Sequence, residues 1–109
     1  MTISFDEWQK LDLRVGKILS AEDHPNADKL FILNVDIGTE RRTVVAGLRK
    51  HYTKEQLIGK KIILFTNLEP VMLRGVRSDG MVLAAVDEEK NLVVLLTPER
   101  DVEQGATIR

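Results

Sequence analysis

The chain has 109 residues, 43% of them apolar and 30% charged, the balance of a single globular domain with a modest core. It contains no run of the ~20 apolar residues that a membrane-spanning helix needs, no secretion-signal pattern at "MTISFDEWQK", and no cysteine; disulfides and thiolate metal sites are excluded, and a cytoplasmic location is expected. A formal net charge of −1 argues against a protein that coats nucleic acid indiscriminately.

Ser4 precedes Glu7 by three residues, the capping-box spacing, which predicts a short helix over residues 5–10 with Phe5 and Trp8 as apolar anchors. From Leu13 the pattern alternates. Leu13 and Val15 face one way, and after Gly16 the parity slips so that Ile18 takes the apolar side, which predicts a bulge or sharp coil at the glycine. "LFILNVDIG" (30–38) carries Phe31, Leu33, Val35 and Ile37 on one face, and Gly38-Thr39-Glu40 turns it into "RRTVVAG" (41–47) as a hairpin. "TKEQLIG" (53–59) repeats the capping box, Thr53 to Gln56, and opens a helix of barely two turns that Gly59 ends. "KKIILFT" (60–66) predicts a buried strand and residues 67–80 a loop. Strands "MVLAAV" (81–86) and "LVVLL" (92–96) follow, joined by the acidic turn "DEEKN", and Pro98 ends the last.

Five or six short strands, one short helix between the third and fourth, and no βαβ rhythm predict an all-β domain. A closed five-stranded Greek-key barrel of the OB-fold type fits best, because closure removes the edges that so short a sheet would expose. The expected division is an N-terminal helix over 1–10, a barrel over 11–86 and a C-terminal β extension over 87–109.

Charge is unevenly distributed along the chain. Residues 1–40 and 78–109 are each net −4, whereas residues 41–77 hold Arg41, Arg42, Arg49, Lys50, Lys54, Lys60, Lys61, Arg74 and Arg77 against Glu55 and Glu69, net +7. Such a block predicts one basic face. Catalytic patterns are missing. His24, near Asp23 and Asp28, invites a metal reading, but no ligand spacing supports it, and a loop histidine ahead of Pro25 is the better account. Ser78 beside Asp79 lacks a nucleophile elbow, and His51 has no partner in the pattern. No catalysis, cofactor or metal is expected of the chain by itself. Five aromatic residues, with Phe31 and Phe65 assigned to the core, leave few platforms for stacking single-stranded bases, so phosphate and shape recognition of a folded RNA fits better.

"LDLRVGKI" (11–18), "HPNADKL" (24–30) and "LRGVRSDGMVLAA" (73–85), with "VVAGLRKHYT" and "IGKKIILFTNLEP" between them, resemble the tRNA-binding domain family. That domain stands at the C-terminus of many methionyl-tRNA synthetases, and occurs as a stand-alone structure-specific tRNA-binding protein and in the endothelial monocyte-activating polypeptide. The resemblance runs from about Phe5 to the C-terminus. It implies an OB-fold gripping the outer corner of tRNA without reading the anticodon. The matching positions are Asn26, Lys29, Arg41, Arg42, Arg74, Ser78 and Met81, with Arg77 in the same basic loop. Arginine and lysine suit phosphates, asparagine and serine suit phosphate or 2′-hydroxyl, and a rim methionine can lie on a sugar or base. Asn26 and Asp28 could equally close a turn, and Met81 could be the first core residue of its strand. Gly75 and Gly80 are expected to permit backbone turns.

The ending "LLTPERDVEQGATIR" resembles the dimeric branch of the family, so a homodimer held by residues after Asp87 is expected. The methionine start favours a stand-alone protein, with the catalytic chain of methionyl-tRNA synthetase as a further partner. Two other readings are a secretion-related chaperone branch, whose members lack the "HPNADKL" form of the loop, and a protein-interaction module without RNA affinity, against which the +7 block argues.

Overall fold

A computed structural model describes all 109 residues. Helix α1 (Phe5–Trp8) is a single turn with both halves of its capping box formed, Ser4 Oγ accepting from the Glu7 N–H and the Glu7 side chain accepting from the Ser4 N–H. It ends short of the predicted residue 10. The strands are β1 (Leu13–Asp23), β2 (Phe31–Asp36), β3 (Arg41–Ala46), β4 (Lys61–Phe65), β5 (Val71–Leu73), β6 (Val76–Ser78), β7 (Met81–Val82), β8 (Ala84–Asp87) and β9 (Leu92–Leu95), with α2 (Lys54–Leu57) between β3 and β4. Thr53 and Gln56 form the second capping box, but α2 is also a single turn and drops one buried side chain, Leu57, into the core. No helix is long and apolar enough to cross a membrane.

The fold is an OB-like, nearly closed antiparallel barrel of five strands in the order β3-β2-β1-β4-β7. Strand β1 serves two partners: Leu13–Lys17 pair with Phe65–Lys61 of β4, and Lys17–Asp23 pair with Asp36–Phe31 of β2. Closure between β3 and the end of β6 uses a side chain. The Val45 N–H donates to Ser78 Oγ at 2.9 Å, that hydroxyl donates to the Gly80 carbonyl at 3.0 Å, and the Asp79 N–H donates to the Thr43 carbonyl at 2.8 Å. Inside lie Ile18, Leu33, Val35, Val44, Leu57, Ile62 and Leu64, all without measurable exposure.

Three expectations change. The slip in β1 falls at Leu19, where the register against β2 shifts between Ile18 and Ser20, and not at Gly16. Leu13 and Val15 point outward into a second cluster with Ile63, covered by Trp8, Phe65, Leu83, Ala106 and Ile108. Gly16 points inward: a Cβ there would sit 2.6 Å from Val35 Cγ1. The missing side chain looked like a change of parity because the inward position it marks is filled by a neighbouring strand. Second, residues 67–80 are not wholly loop, since β5 and β6 pair as a hairpin through Val71–Ser78, Met72–Arg77 and Leu73–Val76. Third, "MVLAAV" breaks at Leu83. Met81–Val82 pair with β4 in the barrel wall, while Ala84–Asp87 pair only with β9.

The C-terminal segment returns along β1. The Val15 N–H donates to the Ala106 carbonyl, the Gly105 N–H to the Val15 carbonyl and the Ile108 N–H to the Leu13 carbonyl, at 2.7–2.9 Å. Lys61 Nζ holds the same segment through Asp101 Oδ1 and the Val102 carbonyl, at 2.7 and 2.6 Å. That Lys61 bond first, and then its charge, hold the Asp101 carboxyl below its usual value.

The inward approach at Gly16 has a measurable consequence. Gly16→Ala must displace Val35 within the barrel and should cost about 1–3 kcal/mol in an equilibrium urea titration. Gly47→Ala, whose Cβ meets only Leu30 Cδ2 at 3.8 Å, should stay within about 0.5 kcal/mol of the parent. Equal midpoints for both variants would contradict the packing described at Gly16.

Candidate nucleic-acid interface

The β1–β2 connection, residues 24–30, is internally closed. The His24 N–H donates to the Leu30 carbonyl and the Leu30 N–H to the Ala27 carbonyl, which turns Asn26 and Lys29 out to solvent. Arg49 braces the loop from the β3–α2 side. Its N–H donates to the Lys29 carbonyl, its Nη1 to the Ala27 carbonyl, and its guanidinium lies 5.9 Å from the Phe31 ring centroid.

His24 lies in the loop, as its setting ahead of Pro25 implies, but its side chain is turned inward. It is buried at 3% exposure, with Nε2 2.9 Å from the Leu73 carbonyl and Nδ1 3.0 Å from the Asn26 N–H. Both ring nitrogens are engaged, so neither faces a metal. The bond to Leu73 joins the loop to the β5–β6 hairpin.

That hairpin turns through two residues, Arg74 (φ 52°) and Gly75 (φ 88°), both in the left-handed region, as in a type I′ turn. A left-handed arginine carries a steric cost of about 1 kcal/mol that glycine or asparagine would largely escape. Strain of this kind collects at functional positions. Arg74 is exposed and its side chain has no hydrogen-bonding or ionic partner. Along the hairpin, Val71, Leu73, Val76 and Ser78 share one face and Met72 and Arg77 the other. Arg77 is engaged only through Nε, by Asp79 Oδ1 at 2.8 Å. Met72, 62% exposed beside it, was not singled out from the sequence; a three-residue strand inside a predicted loop carries too short a pattern to assign faces.

The other expected contacts are placed differently. Ser78 is 2% exposed, and its hydroxyl closes the barrel. Arg42 is tied down: Nη1 donates to the Thr66 and Asp79 carbonyls at 2.9 and 3.1 Å, and Nε and Nη2 bind Glu40. Arg41, opposite Asp36 at the far end of β3 from Ala46, is exposed. The Asp36 carboxyl is held below its usual value first by the Gly38 N–H, then by the Gln104 side chain, with Arg41 and Lys17 adding charge. It is therefore ionised at neutral pH and offsets Arg41. Met81 is 44% exposed at the rim of a shallow apolar depression of about 210 Å³ that includes Val45, Leu48, Ala84 and Val93.

The +7 block is thus not a single basic face. Arg42, Arg49, Lys54 and Lys61 are engaged by acceptors within the fold, Arg49 and Lys54 both by Asp23. The His24–Leu73 bond joins the loop that carries Asn26 and Lys29 to the hairpin that carries Arg74 and Arg77, whereas Arg41 stands at the end of β3 away from Ala46, opposite Asp36.

Residues 13–107 match a family described as "Putative tRNA binding domain". The chain is 53% identical over 107 residues to the methionine–tRNA ligase of Pyrococcus furiosus and 56% identical over 106 residues to that of Methanococcus aeolicus. These alignments cover 98% and 97% of this chain but only 14% and 15% of the ligases, so the chain spans about one-seventh of their length. Among solved structures, a MetRS-related protein from Pyrococcus horikoshii superposes with a TM-score of 0.93 at 36% identity, covering 100% of this chain and 99% of the other. The chaperone CsaA of Bacillus anthracis superposes at 0.89 with 32% identity and full coverage of both chains. On a match that takes in all of the barrel and the returning C-terminal segment, the chain belongs to the tRNA-binding domain family.

Proposed function

We propose that this chain binds tRNA at the outer corner of the molecule, either in trans or as a subunit or appendix of methionyl-tRNA synthetase. The observation that carries the reading is the pairing of two loops that present free side-chain donors, Asn26 and Lys29 on one and, on the other, Arg74 and the two Nη groups of Arg77. Such a set neutralises phosphates of a folded backbone and reads no base edges, which is recognition by shape. The exposed Met72 adds an apolar contact for a sugar or base. Catalysis has no place in this arrangement: both nitrogens of His24 and the hydroxyl of Ser78 are held by backbone groups. The chain contributes binding, and the synthetase named among its relatives would contribute the chemistry.

One module offers few phosphate contacts, so two modules acting together fit the task better. The surface suited to pairing is the β8–β9 ribbon. Its outer face carries Ala85, Leu92 and Val94, continued by Leu96 and bounded by Asp87, all exposed, whereas Leu95 on the opposite face is buried. We assign this face to a homodimer contact. A chaperone role is the second reading, motivated by the end-to-end likeness to CsaA; the free cations on both loops favour RNA.

Titrating bulk tRNA, a plain RNA duplex, a single strand and an unfolded polypeptide through a salt series tests the reading. Tight tRNA binding is expected, with log K falling by roughly 2–3 units per tenfold salt for the three cations of each module, and little discrimination among tRNAs. Equal affinity for the single strand, or preference for the polypeptide, would overturn it. In sedimentation the parent should be a dimer at roughly ten micromolar, as a standard-size interface implies, and Val94→Asp a monomer with weakened tRNA binding.

Arg74 supplies a sharper test, because its two effects have opposite sign. Asparagine suits the first position of a type I′ turn, so Arg74→Asn should stabilise the fold by about 0.5–1 kcal/mol. The same change should weaken all tRNAs and flatten the salt slope by about 0.7–0.9. Arg77→Gln should weaken binding with stability almost unchanged. Wild-type affinity in a folded Arg74→Asn, Arg77→Gln double variant would remove the hairpin from the site.

A further inference from the structure

We propose that His24 is a positioning residue that assembles the RNA-binding surface by locking the β5–β6 hairpin to the 24–30 loop; this rests on the reading of those loops given above. Nδ1 accepts the Asn26 N–H, so it carries the lone pair and the hydrogen resides on Nε2, which donates to the Leu73 carbonyl at 2.9 Å. One neutral imidazole thereby does two things. It closes the loop that presents Asn26, as an asparagine would in an Asx-turn, and it holds the residue immediately before Arg74.

The second bond matters because of how the hairpin is attached. Its base is fixed to β3 through Ser78 Oγ and the Asp79 N–H. Beyond that base, where Val71 pairs with Ser78 and Arg77 Nε donates to Asp79 Oδ1, the bond from His24 to the Leu73 carbonyl is the one hydrogen bond that ties residues 71–77 to the rest of the protein. Without it the hairpin is a lever hinged at Ser78, and Arg74 and Arg77 must be ordered when RNA binds rather than beforehand. Burial of the ring strengthens the pin, since at 3% exposure little water competes for its nitrogens. No contact of His24 with RNA is involved.

Two conservative substitutions separate the two bonds. Asparagine places Oδ1 where Nδ1 stands and keeps the Asn26 turn, but does not reach Leu73. Glutamine places its amide near Nε2 and keeps the Leu73 bond, but not the turn. In the free protein, hydrogen exchange should quicken across 71–77 in His24→Asn and at Asn26 in His24→Gln. With bulk tRNA, measured well below the thermal midpoint, His24→Asn should bind about tenfold more weakly, the cost of ordering two arginine positions on binding. His24→Gln should recover to within about threefold of the parent. If His24 merely fills space, the two variants lose affinity alike and only as far as they lose stability, and exchange across 71–77 is unchanged in His24→Asn; either result overturns the inference. Because the exchange experiment uses no RNA, failure of the parent to bind tRNA would defeat the functional reading and leave the pin to stand or fall on exchange alone.

Discussion

Everything in this molecule follows from one strand belonging to both halves of the barrel. The first five residues of β1 pair with β4 and six of its last seven with β2, sharing Lys17. A flat strand cannot do this. The extra residue at Leu19 adds local twist where the partner changes, and the absent side chain at Gly16 lets Val35 close over the bend. Once β1 is coiled, its early residues turn their outward side chains away from the barrel, and the second cluster around Leu13 and Val15 forms against Trp8, Leu83 and the C-terminal segment. The terminal parts of the chain are thus packed as the outer layer of β1.

The same closure accounts for the fate of the charges. A small barrel leaves carbonyls at its rim that no ladder satisfies, and long cationic side chains reach them. Arg42 takes the Thr66 and Asp79 carbonyls, and Arg49 that of Ala27. A buried or half-buried carbonyl left alone costs more than a surface ion pair returns, so these bonds claim the guanidinium groups first. What remains free lies on loops whose own backbones are satisfied internally. Lys29 and Arg74 are available because the turns that carry them need nothing from their side chains.

Preorganisation and local strain meet in the β5–β6 hairpin. An arginine at a left-handed position is unfavourable, yet the turn is held from both sides, by Ser78 at its base and His24 near its tip. A rigid mount that tolerates a strained basic residue suits the phosphate-contacting role proposed for this hairpin, and the polar stretch runs directly into the barrel wall at Met81–Val82. The wall ends there. From Ala84 onward the chain leaves the barrel and exposes an apolar ribbon face, a second surface on the other side of Leu83 in sequence.

Local rules settle much of this protein from the sequence alone. Both capping boxes, the β2–β3 hairpin, the placement of α2, the all-β barrel class and the family follow from spacing and motif, because each depends on neighbours within a few residues or on a long ordered pattern. Tertiary structure decides the rest. The bulge sits at Leu19 because pairing to β2 places it there, and Gly16 gives no side chain from which to read direction. The β5–β6 hairpin has only three residues a side, too few for a period to declare itself. Of Arg41, Arg42, Arg74, Arg77 and Ser78, all alike as polar residues in a basic stretch, it is partners 24 to 37 residues away that engage Arg42 and Ser78 within the fold. His24 reaches its partner across 49 residues. Hydrogen bonds made across such separations leave no periodic trace in the chain, so only the closed barrel determines which side chains hold the fold and which remain free at the surface.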